Sequence, residues 1–269
     1  MAVVPEFEVT LPYFLSIFIY GASDSGKTVL ASCAPDLDPK EISIVSNALF
    51  LDVEGGTVSL PTRGAGIIVE KFPKGEGQLI QTKEKLAEGI DYLKANKNRF
   101  TYAALDSLDR FQECAIDAII KGKSHPRPEQ QDWMDVLLML QKLGRTVPTW
   151  GVHVIVTCHD NMARDSTDAV TKRMPLIQGS FKGKLSSYFD VVGYYEKTRN
   201  DTGKEIRLLH TKGSTDFFAR SRLGNCLPDT ILNPNIPAMI AEYHKNRDKR
   251  IKELQANTSI RVKILGAGA

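Results

Sequence analysis

The stretch GASDSGKT, at residues 21–28, constrains the fold of this chain more than any other part of its sequence. It fits the pattern G-x-x-x-x-G-K-[ST] and follows directly after the apolar run LSIFIY. That run predicts a buried strand, and TVLASCA at the end of the loop predicts a helix. A glycine-rich loop in this position directs backbone N–H groups toward phosphate oxygens. The sequence therefore predicts a phosphate-binding loop between a strand and a helix.

The residue types at the end of this loop suit a nucleotide with its magnesium ion. Lys27 supplies a mobile positive charge for the β- and γ-phosphates, and Thr28 offers a hydroxyl group to Mg²⁺. ATP and Mg²⁺ are therefore the expected cofactors. We expect the following residues to bind the nucleotide: Gly21, Ala22, Ser23, Asp24, Ser25, Gly26, Lys27, Thr28 and Val29.

Further apolar runs predict an α/β fold. Nearly continuous hydrophobicity, typical of strands covered on both faces, marks Phe14–Tyr20, Ala48–Val53, Tyr102–Leu105 and His153–Cys158. Helical stripes fall between these runs, at Leu79, Leu86, Ile90 and Leu93, and at Trp133, Val136, Leu137, Leu140 and Leu143. This alternation predicts a mostly parallel, twisted sheet flanked by helices.

The chain changes character after Asp190. Short runs around turn residues predict an antiparallel edge or hairpin, at Val191–Tyr195, Ile206–His210 and Phe217–Ala219. We predict a core over residues 1–235, followed by a basic C-terminal helix and tail over residues 236–269.

Composition limits the class of protein. With 269 residues, of which 42% are hydrophobic and 25% charged, the chain is an ordinary globular protein. The net charge of +3 permits a polyanionic partner without requiring one. The four cysteines are far apart and form no C-x-x-C pair, so we expect free thiols in a reducing cytoplasm. The longest early apolar run is too short to span a bilayer.

Three polar residues that follow predicted strands are candidates for chemistry at the same edge of the sheet. Asp106 closes the run TYAALD and is expected to hold Mg²⁺, although it is also placed to cap a helix. Glu54, in LFLDVEGG, is the candidate base that activates water, and its alternative role is to cap the glycine turn. His159 ends VHVIVTCH, where it can sense the γ-phosphate or be an ordinary surface histidine.

Four segments in this order, GASDSGKT, LFLDVEGG, YAALDS and VIVTCHD, resemble the RecA-like P-loop ATPases. With Trp133 on its helix, Pro175 and Gly179 in a loop, and FFARSR at 217–222, the chain resembles the phage group of single-strand annealing and recombination proteins. The resemblance covers roughly residues 13–225. It implies ATP hydrolysis, with Glu54 catalytic, Asp106 the metal-binding acid and His159 the sensor. It also implies a homo-oligomer, ring or filament, in the cytoplasm, or the host cytoplasm for a phage protein.

The resemblance also assigns a role to two late arginines. Arg220 and Arg222 match a basic pair that reaches into the nucleotide site of a neighbouring subunit, where guanidinium groups stabilise charge on the γ-phosphoryl oxygens. Where the family commonly has lysine at the first position, this chain has Arg220. The alternative is that both arginines are solvated residues at the end of a strand.

Single-stranded DNA is the expected partner, bound through two loops. The first loop, KGKSHPRPEQ at 121–130, offers Lys121, Lys123 and Arg127. The second is predicted as a long irregular stretch from His159 to about Lys184, with Arg164, Lys172, Arg173, Lys182 and Lys184. Both can equally be solvated charged loops. Contacts of this kind to phosphates are independent of base sequence and sensitive to salt.

Other functions remain open on sequence. A hexameric helicase motor or helicase loader uses the same fold, although no primase or zinc module is visible. A nucleotide-gated assembly protein with little turnover is a non-enzymatic alternative. A small-molecule kinase is also conceivable, but the arginine pair and the long basic loop argue against it.

Overall fold

The structure is a computed structural model that describes residues 7–33, 44–60, 67–74, 78–121, 123–164, 170–256 and 260–265. Its strands are β1 (Phe7–Pro12), β2 (Ser16–Gly21), β3 (Ile44–Asp52), β4 (Ile67–Phe72), β5 (Tyr102–Asp106), β6 (His153–Arg164), β7 (Val170–Pro175), β8 (Val191–Arg199), β9 (Glu205–His210), β10 (Arg220–Ser221), β11 (Thr230–Leu232) and β12 (Ile260–Leu265). Its α-helices are α1 (Lys27–Ala31), α2 (Lys83–Ala95), α3 (Leu108–Ile120), α4 (Gln130–Thr146), α5 (Phe181–Tyr188) and α6 (Ile236–Gln255).

The main sheet has the strand order β11-β9-β8-β2-β6-β5-β3-β4. The pairings from β8 through β2, β6, β5 and β3 to β4 are all parallel. On the other side of β8, strands β9, β10 and β11 pair antiparallel. The predicted fold class, a mostly parallel α/β sheet with an antiparallel C-terminal edge, is confirmed.

Alternation along the central strands explains why the sheet is covered on both faces. In β2, Phe18 and Tyr20 join the core beneath α2, α3, α4 and α5, while Ile17 and Ile19 join the core beneath α1 and α6. Strand β3 divides in the same way, with Leu49 and Leu51 on one face and Ala48 and Phe50 on the other. Side chains of a strand point alternately to opposite faces, so a continuous apolar run supplies both cores.

Several element boundaries differ from prediction. Strand β2, predicted from Phe14, begins at Ser16. Leu79 precedes α2, which begins at Lys83 with a hydrogen bond from the Lys85 N–H to the Thr82 side chain. The predicted strand Phe217–Ala219 is wrong, because Phe217 forms only an isolated bridge with Arg173 and the strand lies at Arg220–Ser221. The second helical stripe is α4, as predicted.

The irregular stretch predicted after His159 is also wrong. Strand β6 continues beyond the sheet to Arg164 and pairs antiparallel with β7. An ion pair at 2.7 Å between the Arg173 guanidinium and the Asp160 carboxylate links the two strands. Farther along, Lys182 and Lys184 belong to α5. The hairpin is stable because the backbone N–H and C=O groups of the two strands form hydrogen bonds with each other.

The C-terminal segment continues beyond the predicted basic helix. Helix α6 packs Ile236, Met239, Ile240 and Tyr243 into the core on one face of the sheet. Part of the predicted tail is strand β12, which pairs in parallel with β1. The division at residue 235 into a core and a separate segment stays a prediction. No helix within the described ranges is long and apolar enough to cross a membrane.

Candidate functional site

The phosphate-binding loop lies at the carboxyl end of β2, where one of its two glycines meets a steric demand and the other a conformational one. A Cβ atom at Gly21 would lie 2.0 Å from the backbone oxygen of Tyr195 on β8. Gly26, with φ of 94°, is in the left-handed region and leads directly into α1. The local sequence therefore fixes the turn that the loop makes between strand and helix.

Lys27 is the first residue of α1, and its side chain folds back over the loop. Its Nζ atom donates hydrogen bonds to the backbone oxygens of Gly21, at 2.9 Å, and Ala22, at 2.7 Å. Burial lowers the pKa of this amine, and the carboxylates of Asp106 and Asp109 act in the opposite direction. The ammonium group is thus held in the curl of the loop, where phosphate oxygens would replace the two carbonyl groups.

Thr28 and Asp106 meet across the strand–helix boundary, as the sequence predicted for a metal-binding pair. The Thr28 hydroxyl donates to Asp106 Oδ2 at 2.8 Å, and the Thr157 hydroxyl on β6 donates to Asp106 Oδ1. Asp106 is only 2% exposed. Burial raises its pKa, and the hydrogen bonds from the two threonines oppose that shift.

Glu54 stands in a turn whose backbone is hydrogen-bonded to Asp106, the predicted metal-binding acid. The N–H groups of Val53 and Glu54 both donate to the backbone oxygen of Asp106, at 2.8 and 3.3 Å. The fully buried Asp52 holds the other side of the turn, accepting from Gly55 N and from the Thr57 hydroxyl at 2.7 Å each. Lys71 of β4 pairs with Asp52 at 2.8 Å, which compensates its buried charge.

His159 ends the part of β6 that pairs with β2, and it is held by an acid that the sequence did not single out. Its ring Nδ1 lies 2.8 Å from Asp109 Oδ2, and its backbone N–H donates to Asp109 Oδ1 at 3.1 Å. Its Nε2 atom lies 3.9 Å from Glu54 Oε1. The predicted sensor and the predicted base therefore lie side by side.

An open cavity of about 530 Å³ brings these predicted residues together. Its lining is Ser23, Asp24, Gly26, Lys27, Thr28, Val29, Glu54, Gly55, Gly56, Asp106 and His159. The residues come from three neighbouring parallel strands and from the turn after β3, because carboxyl ends of parallel strands meet at one edge of a sheet. Gly21, Ala22 and Ser25 complete the loop beside this cavity.

The donor set fits a nucleotide with magnesium. The Thr28 hydroxyl and the Asp106 carboxylate are hard oxygen ligands, the type that Mg²⁺ prefers. Lys27 Nζ, bonded to loop carbonyl groups, is not committed to a carboxylate within the described residues. Glu54 is 38% exposed by side chain and faces the open cavity, where water has access.

The arginine pair lies away from this cavity. Arg220 and Ser221 pair with Val192 and Val191 at the start of β8, and Val191 is in register with Ile17 at the start of β2. The phosphate-binding loop begins at the other end of β2, about 13 Å farther along the strand. Arg222 donates to the backbone oxygen of Ser187 at 3.1 Å. Neither arginine therefore reaches the site of its own chain.

The predicted DNA-binding residues divide into paired and unpaired ones. Lys123 is bonded to the buried Asp132, and Arg173 is paired with Asp160 and lies over the Tyr194 ring. These two charges are already compensated. Within the described part of the chain, Lys121, Arg127, Lys172, Lys182 and Lys184 have no carboxylate in ion-pair range. The side chain of Arg164 lies outside the described residues.

Four residues that support the site were not predicted from sequence. Asp52, Asp109 and Thr157 hold the predicted base, sensor and metal-binding acid. Arg207, on the antiparallel strand β9, donates from Nε to the backbone oxygen of Ser25 at 3.2 Å and so helps to hold the loop in place. Position offered a signal only for Asp109, which lies in the first turn of the helix that follows Asp106.

Comparison with known proteins identifies the family of the chain. Among solved structures, the chain is similar to a KaiC-like protein from the hyperthermophilic archaeon Pyrococcus horikoshii OT3, with 14% identity and a TM-score of 0.39. That similarity covers 73% of this chain and 77% of the other, and at this level it carries no argument about function. No curated protein matches the chain. The AAA domain pattern matches residues 14–223, and the chain is therefore a P-loop NTPase that belongs to the AAA domain family.

Proposed function

We propose that the protein is a Mg-ATP-dependent ATPase that binds single-stranded DNA as a homo-oligomer and promotes recombination or strand annealing. The observation that supports hydrolysis most strongly is the convergence of Lys27, Thr28, Asp106, Glu54 and His159 on one cavity. A site for binding alone needs the loop and the metal-binding oxygens. The exposed carboxylate beside a held imidazole adds the groups that hydrolysis requires.

The loop residues would position the triphosphate. Backbone N–H groups between Gly21 and Val29 would bind phosphate oxygens, and Lys27 would exchange its bonds to two carbonyl groups for bonds to the β- and γ-phosphates. The Thr28 hydroxyl and Asp106 would hold Mg²⁺, whose charge would stabilise the phosphate oxygens when it is bound.

Glu54 would accept a proton from the attacking water. Its side chain opens onto the cavity, and its backbone is bonded to Asp106, so the base keeps a fixed relation to the metal-binding acid. Asp52 supports this relation by holding Gly55 and Thr57 in the following turn. Such positioning of a general base typically contributes a factor of about 10² to 10⁴ to the rate.

The DNA half of the proposal is supported by the uncompensated basic residues. Lys182 and Lys184 are carried by α5, and Lys172 is on the β6–β7 hairpin that continues from His159. A backbone hydrogen bond of 2.8 Å from Leu176 N to His159 O joins this region to the nucleotide site. A conformational change that starts at the γ-phosphate and moves His159 would therefore have only a short path to the basic residues. Phosphate contacts by lysine are independent of base sequence.

The test combines phosphate release with fluorescence anisotropy on labelled single-stranded DNA. Wild-type protein is expected to release phosphate from Mg-ATP, and Lys27→Ala to abolish turnover, while Lys94→Ala, on the exposed face of α2, retains it. A double change, Lys182→Ala with Lys184→Ala, should make the slope of log K for DNA against log salt concentration shallower by about 0.7 per lost phosphate contact.

The outcomes separate the alternatives. Turnover by Lys27→Ala at the wild-type rate would remove the site assignment, and no DNA binding at low salt would remove the DNA half. ATP binding without turnover, with or without DNA, would favour a nucleotide-gated assembly protein. Unwinding of a forked duplex would favour a helicase motor.

A further inference from the structure

Asp109 is a buried acid that accepts hydrogen bonds from both the backbone and the ring of His159. It stands in the first turn of α3 and is 5% exposed. Burial acts to raise its pKa, but the hydrogen bonds and charge of His159 outweigh burial, and the pKa is lowered. A buried carboxylate that stays charged requires such a partner.

This contact fixes the direction of the imidazole. With Nδ1 facing Asp109 at 2.8 Å, the opposite ring atom, Nε2, faces the cavity and lies 3.9 Å from Glu54 Oε1. The backbone bond from His159 N to Asp109 Oδ1 restrains the same pair a second time. A carboxylate on Nδ1 also selects the tautomer and favours a proton on both ring nitrogens.

The charges around His159 come from three elements. Asp109 on α3 raises the pKa of His159 through its hydrogen bond, burial lowers it, and Glu54 after β3 raises it further. Lys27 on α1 acts in the opposite direction. The net shift in the pKa of His159 is upward.

We propose that Asp109 is a positioning residue for ATP turnover, which holds His159 so that its Nε2–H is directed at Glu54 and at the γ-phosphate end of the cavity. This inference rests on the proposed ATPase function. With the cavity free of nucleotide, Nε2 faces the base. With ATP bound, the protonated ring would donate from Nε2 to a γ-phosphoryl oxygen, and Glu54 would accept a proton from water.

The alternative role for Asp109 is stabilisation of α3. An acid in the first turn of a helix interacts favourably with the helix dipole, whatever its side chain contacts. That role would affect folding but would leave the titration of His159 and the turnover of folded protein unchanged. The two roles therefore differ in measurable quantities other than stability.

The test compares Asp109→Asn with Glu113→Gln, an exposed acid one turn farther along α3 that pairs with Arg110. Asp109→Asn is expected to lower kcat roughly tenfold, the cost of one charge-assisted hydrogen bond, with KM for ATP changed by less than about twofold. Glu113→Gln should retain the wild-type kcat. Combining Asp109→Asn with His159→Gln should lower kcat no further than His159→Gln alone, because both act through one ring.

The second readout is the NMR titration of His159 without nucleotide, with His159→Gln used to assign its signal. Asp109→Asn should lower the pKa of His159, and Asp109→Glu, which keeps the charge, should restore part of the shift. Wild-type kcat and an unchanged titration in folded Asp109→Asn would overturn the inference. If wild-type protein releases no phosphate, the ATPase proposal fails. The titration then tests the role of Asp109 by itself. A lower pKa of His159 in Asp109→Asn supports the positioning contact, and an unchanged pKa refutes it.

Discussion

At the carboxyl edge of the parallel strands, three acids are buried and each has a partner, whereas the opposite edge leaves its two candidate catalytic arginines exposed. Asp52 is paired with Lys71, Asp106 with two threonines, and Asp109 with His159. Arg220 and Arg222 lie beside the start of β8. Buried charges need such partners because water cannot reach them, whereas water stabilises the charges of the exposed arginines.

This difference separates the proposed site into two halves. The half built by the loop, Glu54, Asp106 and His159 is assembled within one chain. The arginines cannot reach it from their own chain, since β2 separates the two edges by most of its length. If they act on ATP, they act on the site of another copy.

Among changes at the opposite edge, the largest expected effect comes from removing the arginine pair. Changing Arg220 and Arg222 together to alanine should lower ATP turnover by about a hundredfold or more, because an arginine finger stabilises charge in the transition state. Nucleotide binding in the variant's own loop should persist. Steady-state phosphate release and binding of a fluorescent ATP analogue measure the two effects. Arg199→Ala, at the far end of β8, is the matched control.

Mixing two inactive variants tests this prediction further. The arginine variant and Lys27→Ala each lack a different half, so equal amounts should recover part of the turnover when combined. Mixed assemblies would contain interfaces in which an intact loop faces intact arginines. An inactive mixture of variants that do co-assemble would contradict action in trans, and so would full activity of the arginine variant by itself.

A smaller effect is expected from His153, which lies at the start of β6 at the edge opposite the site. Its ring Nδ1 accepts a hydrogen bond from Leu15 N at 3.0 Å, and burial lowers its pKa to about 3. Below about pH 6.5 the unfolded chain protonates this residue while the folded chain does not. The free energy of unfolding therefore keeps the full contribution of His153 above about pH 6.5 and decreases as the pH falls toward 3.

Urea unfolding between pH 7 and pH 5 measures this contribution. Each pH unit below 6.5 should cost the wild type up to about 1.4 kcal/mol through His153, in addition to other groups. His153→Asn, which offers an amide oxygen that does not titrate, should show a shallower decline. Equal slopes for both proteins would contradict the neutral, buried state of His153.

Local patterns predicted the parts of the site that depend on nearby residues. GASDSGKT contains its own turn, and Asp106 could be placed because parallel strands bring their carboxyl ends together. Asp109 could not be assigned to His159, since the two are 50 residues apart and meet only when α3 packs beside β6. Lys123 and Arg173 looked free for the same reason, because their acidic partners become neighbours only in the folded chain.

Strand pairing over long distances was the other part that the sequence left open. Strand β12 pairs in parallel with β1, and its alternating apolar and polar residues, IRVKIL, are a strand signal that the prediction of a tail overlooked. The β6–β7 hairpin has mixed polar and apolar residues and a register shift near Arg164, so it lacks the regular alternation by which strands are recognised. The buried central strands, by contrast, were predicted to within a few residues.

The most direct test of the central claim, that one chain assembles the hydrolytic half of an ATP site, is Glu54→Gln. Glutamine keeps the size and hydrogen bonding of the side chain and removes its basicity. We expect ATP binding to match the wild type and phosphate release under single-turnover conditions to be at least about a hundredfold slower. Phosphate release by Glu54→Gln at the wild-type rate would contradict the account.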